Sequence, residues 1–149
     1  MPPARPLLLA ALLATLGGCG REERPQLPEA CTGGAAAVRD ALRAAPGEVR
    51  LDGIAISDCF VRESGAAEIA VVGQSVLEAA APLAERSRED PESGAAAQLG
   101  YLVGAVRRGA AGTQGIHDEL VRRLSQEIDG VDADAGAYRR GLAAGGRSG

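Results

Sequence analysis

The chain has 149 residues, 16 basic residues against 20 acidic ones and a formal net charge of −4. An acidic balance attracts neither nucleic acid nor an anionic lipid surface, so no nucleic-acid partner is expected. Every basic residue is arginine, lysine and asparagine are absent, and one Phe, two Tyr and no Trp leave the core to Ala, Val, Leu and Ile, in a chain with room for one small domain.

The first element is the apolar run at residues 7–16, which ends in Leu16-Gly17-Gly18-Cys19. About ten apolar residues match the core of a signal segment and fall well short of the roughly 20 that span a bilayer. Arg5 and the amino terminus supply the positive flank. An aliphatic residue three positions before a cysteine, with small residues between, lets a membrane peptidase bind the segment in extended form. In this it resembles bacterial lipoproteins processed by signal peptidase II. The resemblance covers residues 1–19 and implies that residues 1–18 are removed. Cys19 then carries a diacylglyceryl thioether and an acylated amine, palmitate being the usual type of acyl chain. The protein is thereby expected to be exported and anchored by lipid, on the outer face of the cytoplasmic membrane or in an outer membrane. An ordinary signal peptide, or a membrane helix with Cys19 incidental, is the competing reading. The resemblance gives an address and no activity.

Loss of residues 1–18 takes Arg5 with it and leaves fifteen arginines against twenty acids, a net charge of −5. Residues 19–30 are charged, contain two prolines and have almost no apolar periodicity, so they read as the lipidated cysteine and a tether. The domain is expected over residues 31–144. With Cys19 lipidated, only Cys31 and Cys59 remain, and an even pair in an oxidising compartment is most simply a disulfide. Two packed thiols are the alternative. A metal site would need more ligands than two distant cysteines and the single His117 supply.

Residues 35–45 carry Val38 and Leu42 on one face and stop at Pro46-Gly47, a short helix. In residues 49–56 aliphatic residues alternate around Asp52-Gly53, a two-residue turn signal that would pair Leu51 with Ile54 and Val49 with Ile56 in a small hairpin. An extended loop competes, because an isolated two-stranded ribbon is marginal. From residue 66 to about 88, Ile69, Val72, Val76, Leu77 and Leu83 recur at helical spacing, with Pro82 expected to kink the helix or to start a new turn there. Residues 95–129 repeat at close to 3.5 through Leu99, Val103, Val106, Ala110, Thr113, His117, Leu120 and Leu124. One helix or two is open there, since Gly100, Gly104, Gly109, Gly112 and Gly115 each weaken a continuous helix, and a kink or break between Gly109 and Gly115 competes with it. A short helix around 135–144 and a disordered tail at 145–149 complete the reading.

His117 lies beside Asp118 and Glu119, and Ser57 or Ser125 could complete a hydrolase sketch. No nucleophile elbow or oxyanion loop accompanies them, so a seam histidine is the plainer reading. Gly100 and Gly104 form a G-x-x-x-G pair, read as close helix packing within the bundle rather than a membrane dimer. Arg122-Arg123 and Arg139-Arg140 read as solvated faces. The carboxylates at Glu22-Glu23, Glu89-Asp90 and residues 129–134 lack a calcium-loop pattern. The expectation is therefore an all-α, Ala/Gly-rich small bundle stapled by one disulfide, without catalytic, cofactor or metal residues. It would act not as an enzyme but as an envelope lipoprotein that binds or scaffolds a protein partner. The alternative is a carrier of a small hydrophobic ligand or lipid, for which a cavity lined by Leu99, Val103, Ile69 and Val76 would speak.

Overall fold

A computed structural model of the chain describes residues 27–60 and 64–149. The signal segment, Cys19 and tether residues 20–26 lie outside the described residues. Among those described, the fold is all-α. Five helices follow in order, α1 (Gly34–Leu42), α2 (Ala66–Glu89), α3 (Gly94–Ala110), α4 (Ile116–Glu127) and α5 (Gly136–Ser148), with 3-10 turns at Glu29–Thr32 and Ile56–Cys59.

The centre of the bundle is α3, which buries residues on every side of its axis, from Ala95 to Ala110. It packs on α5, α2, α4 and the second 3-10 turn. Ser93 caps it through the Ala96 amide at 3.3 Å. The 3.5-residue period of the sequence survives as two helices, because the glycine-rich stretch gives a left-handed turn. Gly112 and Gly115 have φ of 71° and 70°, values that suit a residue without a Cβ. His117, Leu120 and Leu124 then continue the buried stripe on α4.

Of the described helices, α2 alone is long and apolar enough to cross a membrane, with a mean hydropathy of 1.2. It is instead wrapped by α1, α3 and α4. Pro82 sits inside it. A proline has no N–H, so the Glu78 carbonyl one turn back loses its helical donor. The Arg39 guanidinium of α1 takes that place at 3.4 Å.

Arginine and glutamate side chains finish helix ends elsewhere too. Arg88 donates to the carbonyls of Glu127 and Asp129 at 2.7 and 2.9 Å, closing the C-terminal end of α4. The Glu92 carboxylate accepts from the amides of Gly136 and Ala137 at 2.6 and 3.1 Å, capping the start of α5 where the helix dipole favours an anion. Arg108 donates to the Arg147 carbonyl. These arginines are structural caps as well as a compositional bias.

Cys31 and Cys59 are joined in a disulfide, with Cα atoms 5.4 Å apart. It ties the two 3-10 turns together and seats Phe60, the only phenylalanine, beside Gly109. A Cβ on Gly109 would meet the Phe60 ring and the Ser57 carbonyl at 2.6 Å. Between the cysteines the expected hairpin shrinks to one bridge. Leu51 and Ile54 exchange both backbone hydrogen bonds at 2.8 Å across Asp52-Gly53, whose φ of 45° and 84° make a left-handed turn. Val49 and Ile56 do not pair, because Ile56 already starts a 3-10 turn, and both are buried in the core instead.

Both edges of the domain differ from expectation. Leu27 and Ala30 pack against the core, so residues 27–30 belong to the fold rather than to the tether. The disordered tail is also corrected. Residues 145–148 are the last turn of α5, and Gly145 is buried against α3.

Candidate functional site

The tightest seam in the molecule lies between α3 and α5. Gly100 and Gly104 on α3 face a second pair with the same spacing, Gly141 and Gly145 on α5. A Cβ on Gly141 would overlap the Ala97 carbonyl, and one on Gly145 the Tyr101 carbonyl. Gly100 and Gly104 reciprocate against the carbonyls of Tyr138 and Leu142. The two backbones touch, a spacing at which Cα–H groups meet carbonyl oxygens across the seam. The pair expected to pack helices closely does so, and this seam leaves no room for a ligand.

The seam between α2 and α4 is looser. Its glycine, Gly73, faces a side chain, with the Leu120 Cδ1 at 3.2 Å from where a Cβ would stand. Beside that contact lies a groove of about 220 Å³ bordered by Ile69, Ala70, Leu77 and Ile116, with Glu119 and Arg123 at its rim. Glu119 accepts hydrogen bonds from Arg122 and Arg123, both at 2.6 Å. Those bonds hold its carboxyl down at a pKa of about 2. The Arg122-Arg123 pair is therefore an ion-paired helix face. Arg139 is exposed, and Arg140 lies 3.7 Å from Glu92.

His117 does not assemble a catalytic group. It is buried on the α4 stripe, and its Nε2 has no hydrogen-bond partner among the described residues. Asp118 is exposed, and Glu119 is committed to its two arginines. Ser125 stands eight residues along the same helix, roughly 12 Å of rise away, and donates to the Val121 carbonyl. Ser57 is buried in the turn against Gly109. Among the described residues no three His, Cys, Asp or Glu side chains gather as metal ligands. Glu89, Asp90, Asp129, Asp132 and Asp134 are exposed, and Glu22-Glu23 lies outside the described residues.

Leu99, Val103 and Val76 are each no more than 1% exposed and are consumed in packing, while Ile69, equally buried, backs the groove on α2 and α4. Two further clefts lie on the described surface, one mixed and one mainly polar. One of about 680 Å³ lies by the disulfide, with Glu29, Asp40, Arg50 and Asp52 set around an apolar wall of Ala30, Ala37, Ala41 and Leu51. The other, of about 360 Å³, opens between α1, α2 and α3. Neither was legible in the sequence, since each joins residues from elements far apart in the chain.

The chain matches no protein-family model, no curated protein and no solved structure. Any functional reading rests on its own residues.

Proposed function

We propose that this protein is a lipid-anchored lipoprotein of the cell envelope, held to a membrane through Cys19, whose helical bundle binds or scaffolds a protein partner. The anchor rests on Leu16-Gly17-Gly18-Cys19 at the end of an apolar run of signal length. Partner binding is favoured over carriage of a hydrophobic ligand by the size and character of the openings. The apolar groove on α2 and α4, at about 220 Å³, is smaller than the roughly 300–1,000 Å³ typical of small-molecule pockets. The cleft between α1, α2 and α3 is lined by charged groups that a hydrophobe cannot satisfy, and the one by the disulfide sets Glu29, Asp40, Arg50 and Asp52 around Ala30, Ala37, Ala41 and Leu51. A shallow apolar groove with a charged rim suits a side chain presented by another protein.

Two experiments test the two halves. Metabolic labelling with a fatty-acid analogue should mark the wild-type chain and not Cys19→Ser, which should accumulate unprocessed. Equal labelling of both rules out the anchor. A photo-crosslinker placed at Ala70 in the native lipidated protein should give a discrete protein adduct that the same group at exposed Arg139 does not. Adducts confined to lipid or small molecules would transfer the reading to a carrier.

A further inference from the structure

The cleft between α1, α2 and α3 concentrates positive charge in an otherwise acidic protein. Arg39 and Arg43 stand four residues apart on the same face at the end of α1, Arg86 comes from α2 and Gln98 from α3. Buried Leu83 forms an apolar part of the wall, and Asp40 is the single anion in the lining. Three guanidinium groups against one carboxylate give a local excess of two positive charges. At about 360 Å³ the cleft is within the roughly 300–1,000 Å³ range of small-ligand sites.

Each guanidinium group makes one contact that draws it to the cleft, while most of its donors stay uncommitted. Arg39 spends one N–H on the Glu78 carbonyl that Pro82 leaves without a helical donor. Arg86 spends its Nε on the Pro82 carbonyl at 3.1 Å, which leaves its two terminal amino groups. Arg43 meets Asp40 at 3.0 Å in an exposed pair. Each guanidinium has five N–H donors in a planar fork, a shape that matches the oxygens of phosphate two at a time. Pro82 thus does more than interrupt α2, because it leaves the Glu78 carbonyl for Arg39 and its own carbonyl accepts from Arg86, so both guanidinium groups are drawn to the cleft. Pre-set donors of this kind lower the ordering cost of binding.

We propose that this cleft binds a phosphate ester, with Arg39, Arg43 and Arg86 sharing the phosphate oxygens and Gln98 meeting a neighbouring polar group. The site is separate from the groove on α2 and α4 and does not depend on the lipid anchor. The ester comes either from a soluble metabolite or from the headgroup of an anionic lipid, and the two sources share the chemistry that the arginines read.

The test uses the full chain in zwitterionic bicelles, with glycerol phosphate as the soluble probe and arginine Nε–H resonances as the readout. Arg39, Arg43 and Arg86 should shift saturably, and Arg122, Arg123 and Arg139 should not. Arg43→Gln combined with Arg86→Gln, which spares the Arg39 contact to α2, should weaken binding by about tenfold or more. Asp40→Asn removes the competing anion from an exposed position and should tighten binding by about threefold. If phosphatidylglycerol in the bicelles shifts the same three resonances and glycerol phosphate competes, the source is a headgroup. A response to the soluble ester alone identifies a metabolite. Shifts spread evenly over all surface arginines, identical shifts with chloride at matched ionic strength, or undiminished binding by the double variant would overturn the proposal.

Discussion

The seams α3/α5 and α2/α4 are built from the same small-residue alphabet and differ in one respect. Between α3 and α5, glycines four apart occur on both partners, so each helix lays its carbonyls into the gap left by the other. Between α2 and α4 a glycine on one side receives a leucine from the other, and the mismatch leaves a groove. Glycine in a helix interior costs up to about 1 kcal/mol relative to alanine, so four of them in α3 and α5 are intrinsically unfavourable. The seam that spends the most propensity is the one that packs backbone on backbone. Reciprocal spacing, rather than glycine content, decides whether two of these helices close fully or leave space.

Breaking the closed seam should have the largest effect. Gly141→Ala or Gly145→Ala would normally strengthen a helix, but here the methyl group overlaps a carbonyl of α3. Each should destabilise the domain by more than about 3 kcal/mol, beyond the usual cost of overpacking, and be read as a collapse of the thermal midpoint.

Cutting the disulfide comes next, because it acts outside both seams. Cys59→Ala opens a link across a sequence separation of 28. The expected loss is about 3.5 kcal/mol in the chain-entropy model. A reductant should lower the midpoint of the wild type similarly and barely move the variant. Two alkylatable thiols in protein purified without reductant would contradict the bond.

Gly146→Ala sharpens the comparison with its neighbour. No atom lies within 4 Å of a Cβ at this position. The same substitution one residue along should therefore stabilise by about 0.5–1 kcal/mol, the propensity gain alone. A loss at Gly146 equal to that at Gly145 would mean that α5 resents any added side chain, and the argument from spacing would fail.

The rim of the open seam should give the smallest effect. Glu119 has a folded pKa of about 2, below the roughly 4.3 of an unfolded chain. Its contribution is therefore present above the unfolded value and lost as pH falls through the folded one. The carboxylate is exposed, so the difference in midpoint between wild type and Glu119→Gln should be small. It should shrink as pH falls from about 5 to 2 and fade in about 1 M salt.

Much of this architecture was legible in the sequence, and what was missed has physical reasons. The apolar stripes of α2, α3 and α4 follow from period alone, whereas the glycines along 100–115 left one helix or two open, because Gly100 and Gly104 sit inside α3 and only the stretch around Gly112 and Gly115 turns. The disulfide followed from counting cysteines. The end of α5 was misread because Gly145-Gly146-Arg147-Ser148-Gly149 has the composition of a disordered tail. The signal that could have found it was the match in spacing between Gly141/Gly145 and Gly100/Gly104, which concerns two segments at once and is invisible to a window on either. The hairpin failed for a local reason, since one hydrogen-bonded pair across Asp52-Gly53 satisfies the turn and Ile56 then enters a different one. The cleft between α1, α2 and α3 escaped because Arg39, Arg86 and Gln98 come together only when three helices do.

The short connector after α2 has a consequence for how the chain can be divided. The glycine-rich break at 111–115 looks like a natural place to cut the protein into two fragments. Arg88 and Glu92 lie on one side of that cut, and the backbone groups that they satisfy, at 127–129 and 136–137, lie on the other. A C-terminal fragment would begin with α4 unfinished at its end and α5 uncapped at its start. An N-terminal fragment would leave the glycine face of α3 bare to water. Neither piece should hold structure alone, and amide exchange in the intact protein should report the corner between α4 and α5 opening together with the connector between α2 and α3, as one cooperative unit.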